Sequence, residues 1–354
     1  MGTLGGWSKR QKLTIDHTQV DDELTDFPVK VIVSSDNPLF DTAKSDGSDV
    51  RFTAADGETL LKFEREVHDT NESIAVYHVK IPWVSDTDDT DFYLYYGNAD
   101  ASDASTPNDV WDSNYELVLH MGSSLEDSTS NGNDGTNYGT TLGLASDGYY
   151  RSFDGVDDKV PINWLSGDII NTFTMETWVY PKRTIDIFSQ SNSGVPNGTS
   201  YAKNLMISES HGGDLKAGAG LSIGTNGIAV IEHGSSYYPQ VLSHSTSFSG
   251  WTHIAIIYNN RIPSLYINGQ FIKTGLTSGR STVYPGICPS YSGELEGLGF
   301  GHYGYFNGLI TEVRISSTAR SDAWIKATSA SLCNELLTFG DEEPAVTMML
   351  AFNF

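Results

Sequence analysis

The stretch from Trp251 to Ser321 limits the possible folds more than any other part of the 354-residue chain. It opens with WTHIAIIYNNRIPSLYINGQFIKTG, in which apolar and polar residues alternate on both sides of Asn268-Gly269. That dipeptide tolerates the positive φ angles of a tight type I′ turn, so the pattern predicts two antiparallel strands joined as a β-hairpin. The 35 glycines and 18 tyrosines lie among Ser, Thr, Asp and Asn spacers, as many short strands with frequent turns require. Almost nowhere does an apolar period of about 3.6 run for the length of a helix. The fold class is therefore all-β.

Single cores rarely exceed roughly 250–300 residues, so this length predicts two domains. Leu13 and Ile15 alternate with polar neighbours, as do Val29, Val31 and Val33, then Ala75, Tyr77, Val79 and Ile81, then Phe92, Leu94 and Tyr96. Each run has the period of a half-buried strand. The polar segment ASDASTPNDV (101–110) reads as a short joint between two domains held close together. The expected organisation is 1–109, 110–340 and an apolar tail, 341–354.

The formal charge of −24, from 45 acidic and 21 basic residues, repels phosphate backbones and excludes nucleic acid as a partner. No run of about 18 apolar residues exists, so no membrane insertion is expected. The opening MGTLGGWSKRQKLTID lacks the apolar core of roughly 7–15 residues that a secretory signal needs. The two cysteines, Cys288 and Cys333, do not make a disulfide framework and are read as reduced.

Trp251-Thr252-His253 before a strand, the turn Tyr266-Ile267-Asn268-Gly269, and FNGLITEVRI (306–315) together resemble the laminin-G-like, concanavalin-A-like sandwich family. WSKRQKLTID, LTDFPVKVIV, SDVRFTAADGETLLKFEREV and DFYLYYGNADAS resemble an uncharacterised β-sandwich domain found directly ahead of such domains. The resemblance implies two jelly-roll-like β-sandwiches in tandem, the second concanavalin-A-like, and a binding architecture.

The loop LEDSTSNGNDGT (125–136) offers Asp127, Ser128, Asn131, Asn133 and Asp134 as oxygen donors. Calcium takes roughly six to eight such ligands. In the family, a loop of the form Asp-x-Ser/Thr-x-Asn-Gly-Asn lies beside the late Glu-Val-Arg-Ile strand, which implies that Asp127, Asn131, Asn133 and Glu312 hold Ca2+. The alternative is an Asx-turn loop whose side chains bond their own backbone. SDTDDTD (85–91) reads as a solvated acidic turn.

No catalytic residues are assigned. The strings Glu-x-Asp-x-Glu and Glu-x-Asp-x-x-Glu of jelly-roll glycosidases do not occur, and Glu294 and Glu296 sit in a Gly-flanked loop. No nucleophile elbow, metalloprotease helix or phosphate loop is present. His120 and His253 are expected to be structural, and Trp178 and Trp251 to lie in the core. Sugar faces stack on aromatic rings while hydroxyls bond to a few polar groups. The loop aromatics Trp164, Tyr237, Tyr238, His302, Tyr303 and Tyr305, with Asn307, are therefore the expected carbohydrate contacts.

The resulting expectation is a non-enzymatic virion protein, a capsid or tail decoration or fibre-like adhesin, that exposes a lectin-like domain to glycan or to a host surface. A secreted or cell-surface carbohydrate-binding protein, located extracellularly, and a polysaccharide-active enzyme are the alternatives. The apolar run Ala345–Phe354 follows Pro344 and is expected to add a strand to its own fold or to a neighbouring subunit. Its expected partners are other virion proteins or further copies in a homo-oligomer.

Overall fold

The structure is a computed structural model and describes residues 2–162, 169–195, 204–286, 297–298 and 304–345. The chain divides into two compact units: residues 1–112, 146–148 and 326–354, and residues 113–145 with 149–325. The first unit contains β1 (Lys9–Ile15), β2 (Leu24–Val33), a helical turn α1 (Leu39–Thr42), β3 (Arg51–Ala54), β4 (Phe63–Asp69), β5 (Ile74–Val84) and β6 (Thr90–Tyr96). The second contains β7 (Tyr115–Leu119), β8 (Thr141–Ala145), β9 (Gly148–Asp154), β10 (Val160–Pro161), β11 (Phe173–Pro181), β12 (Leu205–Ile207), β13 (Lys216–Gly224) and β14 (Gly227–His233). It continues with β15 (Gln240–Ser245), β16 (Thr252–Asn259), β17 (Ile262–Ile267), β18 (Gln270–Thr274), β19 (Thr282–Pro285), β20 (Gly297–Leu298) and β21 (Asn307–Ser316). The helix α2 (Asp322–Leu332) carries the chain across the unit boundary to the last strand, β22 (Leu337–Pro344).

The all-β reading holds, and the four alternating runs of the first unit fall on β1, β2, β5 and β6. One sheet runs β22-β1-β6-β3 and the other β2-β5-β4. They close on each other through aromatic side chains: the Phe52 ring of β3 meets Phe63 of β4 and Tyr77 of β5, each at 5.4 Å between centroids. Offset and edge-on ring pairs of this kind add to the stabilisation from the area they bury.

The second unit is a larger sandwich. Its eight-stranded sheet runs β18-β17-β16-β11-β21-β9-β8, with β7 also paired to β21. The opposing sheet runs β10-β20-β12-β13-β14-β15, with β19 parallel to β13. Period-two alternation sends Phe173, Met175, Val179, Ile254, Ile256 and Ile310 into a core shared with Leu221, Ile223, Ile228, Val230 and Leu242 of the facing sheet. Phe173 and Tyr258 stack at 4.6 Å within it.

The hairpin expected around Asn268-Gly269 is present. Asn268 (φ 48°) and Gly269 (φ 74°) both lie in the left-handed region, and Ile267 pairs with Gln270. The segment before it differs from expectation. Where two strands were expected from Trp251 to Gly275 there are three, because Asn260 (φ 47°) and Arg261 (φ 68°) make a second tight turn between β16 and β17. Arginine has no special tolerance for that conformation, so the turn leaves little trace in the sequence.

The C-terminal organisation also differs from the expected bounds. β22 pairs antiparallel with β1, from Ile15↔Leu337 to Lys9↔Pro344, so residues 337–344 belong to the first unit and not to 110–340. Asp341, Glu342 and Glu343, expected at the start of the tail, lie in this strand. Arg10 Nη2 donates to Glu343 at 3.0 Å, and Lys9 pairs with Glu342. Ala345 is buried beside Tyr93 and Tyr95, and its N–H donates to the Ser8 carbonyl at 3.0 Å. The rest of the predicted tail, 346–354, lies outside the described residues.

Candidate functional site

The face of the eight-stranded sheet opposite the core carries Glu176, Trp178 and Tyr180 on β11, His253 on β16, and Thr311 and Arg314 on β21. Burial falls along this face. Glu176 (1% exposed) and His253 (0%) are enclosed, with His253 Nε2 3.4 Å from a Glu176 carboxylate oxygen. Trp178, paired in register with His253, is 9% exposed. One residue pair further, where Val179 faces Thr252, the face opens: Tyr180 and Trp251 are both partly exposed.

Trp251 joins two tyrosines there. Its ring stands edge-on to Tyr180 (6.2 Å between centroids, 64°) and to Tyr150 of β9 (5.7 Å, 63°). Tyr150 lies over Gly143 of β8, where any Cβ would collide with the ring. The three rings form an aromatic ledge at the open end of the sheet, with Tyr150 and Tyr180 carried by β9 and β11 and Trp251 by the residue directly before β16. Trp178 is buried as expected, but on the outer face and not in the core between the sheets; Trp251 is half-buried, because it precedes β16 and turns to the same outer face. Tyr150 and Tyr180 were missed. The available signal was period two along β11, which puts Tyr180 on the same side as Trp178.

The residues expected to touch sugar fare differently. The Tyr237 ring is 3% exposed; its hydroxyl donates to Glu232 at 2.7 Å and accepts from the Gly279 N–H at 2.9 Å. Tyr238 is 7% exposed and donates to Glu209 at 2.8 Å. Both are corrected to buried residues, since the turn that carries them folds inward and fills the layer over the seven-stranded sheet. Asn307 is committed to the backbone and to a neighbouring amide: its side chain donates to the Asp154 carbonyl at 2.5 Å and its N–H to the Asn204 side-chain oxygen at 2.6 Å. Tyr305 is partly buried, next to Phe306 of the core. Trp164, His302 and Tyr303 lie outside the described residues, as do Glu294, Glu296 and Cys288.

Glu232 is an enclosed acid of this unit. Besides Tyr237 it accepts from Ser278, and from Tyr258 at 3.1 Å. Burial raises its pKa above the usual carboxylate range, and the three hydroxyl donors only partly oppose that.

The expected calcium ligands form two separate bonded groups. The Asp127 carboxylate accepts four hydrogen bonds, from the N–H groups of Val118, Thr129 and Asn133 at 3.0 Å each and from the Thr129 hydroxyl at 2.8 Å. Asn131 and Asn133 donate their amides to the carbonyls of Tyr115 and Glu116. A carboxylate offers about four lone-pair directions, so Asp127 is saturated by its own loop and the adjoining strand. Glu312 sits at a β-bulge of β21 (φ 49°), 2.9 Å from Arg314 Nη2 and 3.2 Å from His120 Nδ1. A shared cation would have to displace four donors at one carboxylate and lie beside a buried guanidinium at the other. The set does not fit a common ion; it fits the Asx-turn alternative.

Family comparison agrees with the architecture. Residues 154–326 match the model of the Concanavalin A-like lectin/glucanases superfamily, in its laminin-G form. The second unit is a concanavalin A-like domain. Residues 46–159 match the Domain of unknown function (DUF2341), so the order expected from the sequence is the order found. Comparison with curated proteins gives no match.

Among solved structures, the chain is similar to the binding domain of Paraclostridial Mosquitocidal Protein 1 (15% identity, 62% of this chain and 53% of that one, TM-score 0.42). It is also similar to domain 4 of AbnA, a GH43 extracellular arabinanase from Geobacillus stearothermophilus, in complex with arabinotriose (16%, 61% and 98%, TM-score 0.39). A third is the binding domain of botulinum neurotoxin DC in complex with SialylT (14%, 62% and 52%, TM-score 0.41). The match spans about half of the first and third of these chains. None of them bears on what this chain binds.

Proposed function

We propose that the concanavalin A-like unit binds carbohydrate on the ledge formed by Tyr150, Tyr180 and Trp251, without cleaving it. The observation that carries this reading is three partly exposed rings in edge-on contact on one sheet face. Aromatic faces supply the apolar bed for the C–H side of a pyranose, and rings already packed against one another lose little entropy when a sugar docks.

The non-catalytic part of the reading rests on the acids. Glycoside cleavage needs two carboxylates facing each other across an accessible cleft. Glu176, Glu209, Glu232 and Glu312 are each at most 4% exposed and lie against protein groups. A virion surface is the setting proposed for this binding, with a cell surface as the second; mass spectrometry of purified particles distinguishes them.

Glycan-array screening followed by calorimetry on the best neutral oligosaccharide tests the ledge. Trp251→Ala and Tyr180→Ala should each weaken binding by about tenfold or more, as a contact worth ~1.4 kcal/mol implies. Unchanged affinity in both variants overturns the ledge, and release of reducing sugar from the same oligosaccharide overturns the non-catalytic reading.

A further inference from the structure

β8 (Thr141–Ala145, TLGLA) ends the eight-stranded sheet and pairs with β9 alone, so its outer edge carries no partner strand among the described residues. A bare edge is a template for a further strand, and proteins usually blunt it with charge, proline or a covering segment. The other described sheet ends are blunted in one of these ways. β18 carries Lys273, β3 Arg51, β4 Arg65, β22 three acids, and β2 and β10 a proline each. β15 is covered: its Gln240 and Val241 carbonyls accept the N–H groups of Ser191 and Leu276 at 3.0 and 2.8 Å. β8 has neither charge nor proline, and Thr141, Leu142 and Leu144 are exposed.

The two leucines share a face. A Cβ at Gly143 would fall 2.2 Å from Tyr150 Cζ, so Gly143 lies toward the Tyr150 side of the sheet. Period two then turns Leu142 and Leu144 to the other side, where Phe153 of β9 enters the core. Leu142 (45% exposed) and Leu144 (38%) therefore prolong the core-side surface past the last strand. An added strand would bring a second row of alternating side chains against them.

The chain itself carries a segment of that pattern. Ala345 is fixed by its N–H bond to the Ser8 carbonyl (3.0 Å), and after it comes VTMMLAFNF (346–354), with no charged residue, glycine or proline. Extended, this sequence puts Val346, Met348, Leu350 and Phe352 on one face. We propose that residues 346–354 of one copy add as a strand to the β8 edge of a second copy, with that face beside Leu142 and Leu144. Main-chain hydrogen bonds supply the affinity of such an addition, and the alternating side chains set its register. Two chains of net charge −24 repel one another over most of their surfaces, whereas both sides of this contact are uncharged.

Sedimentation velocity on the full chain and two variants tests this. One variant ends after Ala345 and keeps the edge; the other is Leu142→Lys with Leu144→Lys and keeps the tail. The full chain should associate reversibly, and each variant alone should raise the apparent Kd at least about tenfold, with melting unchanged because both alterations are at exposed or terminal positions. The two variants are then mixed, the second with a photo-crosslinking side chain in place of Met348. Irradiation should join them, and the joined peptide should contain residues 141–145. A full chain that stays monomeric overturns the proposal, as does a truncated chain that associates like the parent, the mark of β8 pairing with β8. Association unaffected by the two lysines, or a mixture that gives no crosslink to β8, overturns it as well.

Discussion

At the scale of single residues, the buried acids decide how the second unit responds to pH. Burial holds the folded-state pKa of Glu232 above its unfolded value, so the native state takes up a proton more readily than the unfolded chain. Its favourable contribution is full below the ordinary carboxylate pKa and is lost as pH rises through the raised value; each tenfold displacement of that equilibrium is about 1.4 kcal/mol. Glu232→Gln removes the titration while leaving an oxygen to accept from Tyr237 and Ser278. Melting of the variant relative to the parent should therefore improve as pH rises from the ordinary carboxylate range toward the raised value and level off above it, and a difference that does not change with pH rules the account out. Residue identities of this kind were only partly legible in the sequence. Asp127, Asn131 and Asn133 stand out in the sequence as an oxygen-rich loop, but a string of letters does not show that backbone N–H groups already occupy the Asp127 carboxylate. Tyr237 and Tyr238 sit among Gly, Ser and Pro and look like loop aromatics, although that turn folds its rings inward.

At the scale of elements, local chemistry is readable and long-range pairing is not. Asn268-Gly269 announces its hairpin because only two residues are involved and both favour positive φ. α2 gives no such signal: Thr328, Ser329 and Ser331 are buried together with Trp324, Ile325 and Ala327, so no apolar stripe marks the helix. β22 is a stronger case, since its partner β1 lies far away in the chain, with Lys9 and Glu342 separated by 333 positions. β22 covers one edge of β1, whose Leu13 and Ile15 are fully buried, and Tyr96 of β6 reaches across to Glu342 at 2.8 Å. Ending the chain after Asn334 should strip that edge and cost the first unit several kcal/mol, by losing ladder hydrogen bonds and exposing core side chains. Ending it after Ala345 keeps the strand and should leave melting close to that of the full chain. Urea unfolding of the two truncations separates the cases; equal stability of both with the parent would show that β22 is dispensable.

For the whole molecule, charge governs the response to solution conditions. With 45 acidic against 21 basic residues, most carboxylates have no cation available, and the described ion pairs that do form include exposed ones such as Lys62–Asp109 and Lys12–Asp91. Exposed pairs contribute about 0–1 kcal/mol each, whereas a net charge of −24 sets every surface acid against its neighbours over a Debye length of about 10 Å at 0.1 M salt. Repulsion should therefore outweigh pairing, and screening should favour the compact state. Raising NaCl from about 10 mM to about 0.5 M is expected to raise the melting temperature by several degrees, and by less at pH values close to the sequence pI of about 4.5, where the net charge vanishes. A melting temperature that falls with salt would mean that exposed ion pairs such as Lys62–Asp109 and Lys12–Asp91 outweigh the overall field. Arg314 and Glu312 are both nearly fully buried, which shields that pair from added salt and leaves the surface acids as the part of the molecule that responds.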